Sequence, residues 1–155
     1  MAGTTETPKQ RRDRELGELL QEMRVAITGV QVLFAFLLTV PFTQRFEKLD
    51  LTERRVLFGA ILSAALSSLL LIAPAANHRL LFREGIKEHL LRAANKLVIA
   101  GLMMLALGMV LSLYLVTTLV FSTPAAIVVS ASTAAVVAFT WFVFPRLLEL
   151  DPPDE

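Results

Sequence analysis

LVIAGLMMLALGMVLSLYLVTTLVFSTPAAIVVSASTAAVVAFTWFVFP, Leu97 to Pro145, contains no charged residue and no histidine. About 20 residues at 1.5 Å rise per residue cross the roughly 30 Å hydrocarbon core of a bilayer, so this run is twice too long for one helix. Phe121-Ser122-Thr123-Pro124 divides it near the middle, and Pro124 suits the first turn of a second helix because its missing N–H is not needed there. Two spans are therefore expected here, at about 97–120 and 124–145. Uncharged runs at Val25–Gln44 and Val56–Asn77 supply two more, at about 25–44 and 56–76. Hydrophobic residues make up 55% of the 155 residues and charged residues 19%, with mean hydropathy +0.62. A soluble domain carries about a quarter charged residues. The expected fold is an all-α membrane protein with four transmembrane helices over residues 14–146.

The charges say how the chain is inserted. Of 15 lysines and arginines, eleven lie in the N-terminal segment (Lys9, Arg11, Arg12, Arg14, Arg24), in the central loop (Arg79, Arg83, Lys87, Arg92, Lys96) or at Arg146. The first loop holds the other four, Arg45, Lys48, Arg54 and Arg55. The excess marks the cytoplasmic side, so both termini and the central loop are expected there, in a multi-pass protein of the cytoplasmic (inner) membrane. Residues 1–13 and the acidic 147–155 read as disordered tails. The hydrophilic N-terminus lacks the short apolar core of a cleavable signal, leaving the first span as the insertion signal.

The segment Leu70–Arg83, LLIAPAANHRLLFR, reads as the cytoplasmic exit of the second span. Pro74 removes a backbone donor and frees the carbonyl of Leu70. Asn77 is a natural cap for a new helix, and Arg79, Arg83 and Lys87 follow at four-residue steps beside a Phe82–Ile86–Leu90 stripe. That pattern predicts a short interfacial helix between the second and third spans, binding anionic lipid headgroups through Arg79, Arg83 and Lys87.

Within the spans, Gly59, Ser63 and Ser67 on the second helix and Ser130, Ala134 and Ala138 on the fourth recur every fourth residue. Small residues at that spacing let backbones approach closely in lipid, so these positions are expected to be helix-packing contacts. Gln31 is the most clearly polar side chain inside a span. Glu22, Gln31, His78 and Arg79 form a candidate polar pathway or sensor set, with His78 as a group titrating near physiological pH. Helix glue for Gln31 and an ordinary helix exit for His78 are the competing structural readings.

No Asp, Glu, Lys or Arg stands at the midplane of any span, where proton- and cation-coupled carriers place one. Cysteine is absent, His78 and His89 are separated by eleven residues, and no zinc, phosphate-loop or nucleophile motif occurs. Neither an enzyme activity, a metal nor a cofactor is expected, and a net charge of +1 offers no nucleic-acid surface.

At RVAITGVQVLFAFLLTVPF (Arg24–Phe42) and APAANHRLLFR (Ala73–Arg83) the chain resembles a family of small actinobacterial four-span integral membrane proteins of unassigned function. The likeness extends from about Arg14 to Arg146. Some members carry a sodium:proton antiporter label. The resemblance thus implies a membrane location and four spans, and raises H+ or Na+ exchange as an activity. Two functions stand side by side: an accessory or structural protein with an anionic-lipid-binding loop, and a homo-oligomeric proton- or cation-linked transporter or channel with its pathway at subunit interfaces.

Overall fold

A computed structural model of the chain describes residues 7–81 and 87–150, all but short connections being helical. Helix α1 spans Pro8–Thr39. It starts ahead of the expected boundary at Arg14, because Thr7-Pro8-Lys9-Gln10 is a capping box. The Thr7 N–H donates to the Gln10 side chain at 2.9 Å, the Gln10 N–H donates to the Thr7 hydroxyl at 3.4 Å, and Pro8 occupies the first turn. Arg14 and Glu18, one turn apart, pair at 3.0 Å on the exposed surface. Residues 8–13 are thus helical rather than disordered, and residues 1–6 lie outside the described part.

Pro41 stops α1, which passes through a 3-10 turn at Val40–Phe42 and a second at Gln44–Lys48. Arg54 ties this short connection together. Its Nε donates to the Leu49 carbonyl at 3.1 Å, its Nη2 to the Glu47 carbonyl at 3.4 Å, and its guanidinium lies 4.9 Å from the centre of the Phe46 ring. Leu49 is buried beneath. Asp50 and Glu53 then form a second capping box, with reciprocal bonds of 2.7 and 3.0 Å, and open α2 at Leu51.

Helix α2 continues to Leu81, through Pro74, Asn77, His78 and Arg79. Helix α3 spans Lys87–Val120. The expected separate interfacial helix is therefore not a distinct element among the described residues. Its first part is the last turn of α2, its last part is the first turns of α3, and residues 82–86, including Arg83, lie outside the described part. Stopping one helix and nucleating another is costly, while extending an existing one adds a bond per residue fixed. The capping preference of Asn77, typically about 1 kcal/mol, does not outweigh that.

Helix α4 spans Thr123–Ala138, with Pro124 in its first turn, and a π-helical turn at Phe139–Val143 leads into α5, Phe144–Leu150. Proline explains the wide turn. Pro145 has no N–H to give the Trp141 carbonyl and its ring crowds that oxygen, so the ladder widens just before it. The Phe144 N–H bonds to the Phe139 carbonyl, and the Thr140 hydroxyl donates to the Val136 carbonyl at 2.8 Å. The C-terminal segment keeps its helix to Leu150, further than the tail expected from 147.

Met23–Phe42, Leu51–Ala76, Ala93–Val120 and Thr123–Leu147 are each long and apolar enough to cross a membrane. Successive helices run antiparallel and pack in chain order: α1 on α2, α2 on α3, α3 on α4, with a lesser α1–α3 contact. The α2–α3 pair is the centre. On α2 the buried residues Leu57, Ala60, Ala64, Ser67, Leu71 and Pro74 alternate at three- and four-residue steps. On α3, Ala94, Gly101, Gly108 and Leu115 fall seven apart, as do Met23, Val30 and Leu37 on α1. A 3.5-residue repeat of buried positions is the signature of left-handed knobs-into-holes packing.

Candidate functional site

The α2–α3 seam shows what the small residues accomplish. A Cβ added to Gly101 would lie 2.8 Å from Leu71 Cγ and 2.9 Å from its Cδ2, so the bare backbone of α3 is the socket for a fully buried leucine. One turn of α2 away, the buried Ser67 hydroxyl donates across to the Gly101 carbonyl at 2.7 Å. At Gly108 the backbone of α2 comes close, with Ala60, Ser63 and Ala64 atoms 3.6 Å from where a Cβ would stand. Ser63 satisfies its hydroxyl locally on the Gly59 carbonyl at 2.7 Å. Ser63 and Ser67 thus lie in the close contact between α2 and α3, and Gly59 lies at its flank, 3.4 Å (from its would-be Cβ) to Leu111. The role of Gly101 escaped the four-residue rule; its seven-residue spacing from Gly108 was the available signal.

The fourth helix divides. Ala126 and Ser130 are buried, but Ala134 and Ala138 are exposed and line an open apolar groove of about 250 Å³ between α3 and α4. Met103, Leu107 and Phe142 share that lining. The expected tight packing at Ala134 and Ala138 is not made within one copy. The Ser130 hydroxyl is buried without a hydrogen-bond partner, next to the point where the helices begin to separate.

Of the candidate pathway residues, Gln31 lies apart from the other three along the helices. Glu22 lies in α1 just before the first span, and His78 and Arg79 lie in the last turn of α2 just past the second. Antiparallel packing brings these three to the same end of the molecule, where Lys87 begins α3. Gln31 is well inside the first span and exposed, on a face turned away from the other helices, with no hydrogen-bond partner. Its neighbour Val30 is the residue that α1 buries. Buried polar residues among those described are limited to Ser63, Ser67, Thr117 and Ser130. No group of three His, Asp or Glu side chains that could hold a metal occurs among the described residues.

Four apolar spans, a closely packed central pair, and charges confined to the ends of the spans and beyond define a multi-pass helical membrane protein. The chain belongs to a family of unknown function, DUF6328, which it matches over residues 5–145. No curated protein matches the chain, and no solved structure does.

Proposed function

We propose that the protein is a non-catalytic structural or accessory component of the cytoplasmic membrane, with both termini inside, whose cytoplasmic end binds anionic lipid. The observation that carries this reading is the close-packed α2–α3 seam: Leu71 seats on the Gly101 backbone, and the Ser63 and Ser67 hydroxyls bond to carbonyls. A close-packed apolar pair suits a scaffold better than a proton- or cation-coupled carrier, which keeps an ionisable group at mid-membrane. Arg79 and Lys87 support the lipid side of the proposal. Both follow from helices that project past their spans at one end, and Arg83 lies between them in sequence. Each cation near an anionic surface contributes about 1 kcal/mol.

The test uses the full-length protein in nanodiscs of mixed phosphatidylglycerol and phosphatidylcholine, with lipid retention read by native mass spectrometry after release. Phosphatidylglycerol should be retained selectively, and Arg79→Gln/Arg83→Gln/Lys87→Gln should abolish the selectivity. Equal retention of both lipids by the wild type would overturn the lipid-binding part. In liposomes carrying pH- and sodium-sensitive dyes the purified protein should leave both gradients intact; dissipation of either one would favour the transport function instead.

A further inference from the structure

Gln31 stands 8 residues from Met23 and 11 from Phe42, the ends of its span. At 1.5 Å per residue that places it about 12 Å from one boundary and about 16 Å from the other, close to the midplane. A primary amide there has two donors and a two-lone-pair acceptor, and acyl chains satisfy none of them. The spans' exposed threonines solve the same problem locally: Thr28 donates to the Arg24 carbonyl at 3.0 Å and Thr39 to the Phe36 carbonyl at 2.7 Å. Gln31 has no such bond.

The residues around it are not scattered. Arg24, Thr28, Gln31, Ala35 and Leu38 alternate at four- and three-residue steps along one flank of α1, Phe42 follows four residues on in the 3-10 turn, and all six are exposed. This is a second heptad seam on the same helix, about 100° round from the buried Met23–Val30–Leu37 seam, and none of the described residues covers it. Its centre is small and polar, its ends are bulky, and it runs the length of the span. We propose that this flank is a homodimer interface, in which α1 packs against α1 of a second copy and the two Gln31 amides bond to each other across the symmetry axis.

Depth selects the occupant. Copies inserted with the same orientation are related by a two-fold axis along the membrane normal, so each residue on the seam meets its own counterpart at the same level. Gln31 then meets the one side chain certain to lie at its depth, and an amide is self-complementary as donor and acceptor. The α3–α4 groove of another copy offers Gln31 no polar side chain, since it is lined by apolar residues throughout. A polar residue that pairs with its own counterpart also sets register, as buried asparagine does in coiled coils.

The native chain has no cysteine, so single cysteines report cleanly. In native membranes, oxidation should cross-link Thr28→Cys, Ala35→Cys and Leu38→Cys into dimers, and leave Val32→Cys and Phe36→Cys, on the adjacent exposed face, as monomers. Energy transfer between labelled copies in proteoliposomes, followed as lipid is added, should give a dimer affinity that Gln31→Leu weakens about tenfold and Gln31→Asn largely preserves. Because the Gln31 side chain is exposed and makes no hydrogen bond within its own chain, Gln31→Leu should leave the thermal unfolding of the monomer in detergent unchanged, which separates lost dimerisation from lost folding. Equal cross-linking at all five positions, cross-linking confined to Val32 and Phe36, an affinity unmoved by Gln31→Leu, or a monomer at every lipid ratio would each overturn the proposal.

Discussion

Replacing Gly101 by alanine tests the central seam with one methyl group. In an unconstrained helix the change favours folding by about 1 kcal/mol, since alanine has the better helix propensity. Here the new Cβ would stand 2.8 Å from Leu71 Cγ and 2.9 Å from Leu71 Cδ2, with Leu70 Cβ at 3.4 Å. Leu71 is fully buried, and its Cγ moves only if the whole side chain changes rotamer or the helices separate. Separation would also stretch the 2.7 Å bond from Ser67 to the Gly101 carbonyl. Overpacking of this kind costs about 1–3 kcal/mol, so the net expectation is a loss of about 1 kcal/mol. Gly108→Ala is the matched control. Its Cβ meets its nearest atoms at 3.6 Å, an ordinary contact, so the propensity gain should survive and stability should hold or rise. Unfolding in a mixed-micelle titration followed by circular dichroism measures both. The double change Gly101→Ala/Leu71→Ala should fall well short of the sum of its single effects, because the clash disappears with the leucine. Gly101→Ala at or above the stability of Gly108→Ala would refute the socket reading.

Ser63→Leu should destabilise the same seam by several kcal/mol, whereas Ala134→Leu should leave monomer stability within about 0.5 kcal/mol, because only the first of the two is buried; the same titration compares them. Arg54→Ala removes two carbonyl bonds and the stack on Phe46, and should speed proteolysis between Thr43 and Asp50 while costing about 1–2 kcal/mol of stability. For orientation, single cysteines at Thr5, Glu88 and Pro152 should resist an impermeant thiol reagent in intact cells, and one at Lys48 should react; labelling at Glu88 without permeabilisation would reverse the topology.

Location and span number were legible in the chain because transfer from water to hydrocarbon is nearly additive over about 20 residues. Leu97–Pro145 with its break at Ser122-Thr123-Pro124 needs no knowledge of neighbours to be read as two helices. Caps are similarly local, since the Asp50 and Glu53 side chains bond to each other's backbone across one turn. Which face of each helix turns inward was not visible. In lipid, both the interior and the surroundings are apolar, so polarity no longer distinguishes them, and only shape complementarity does. Small residues therefore marked Ser63 and Ala134 equally, and the tertiary structure separated them: α3 offers the first a glycine backbone, while the second faces the open groove that Met103 and Leu107 of α3 also line. The fate of Asn77 was likewise decided by cooperativity along α2 rather than by its own preference. Gln31 was recognisable as an anomaly from sequence, but only the packing of Val30 against the bundle turned its amide outward.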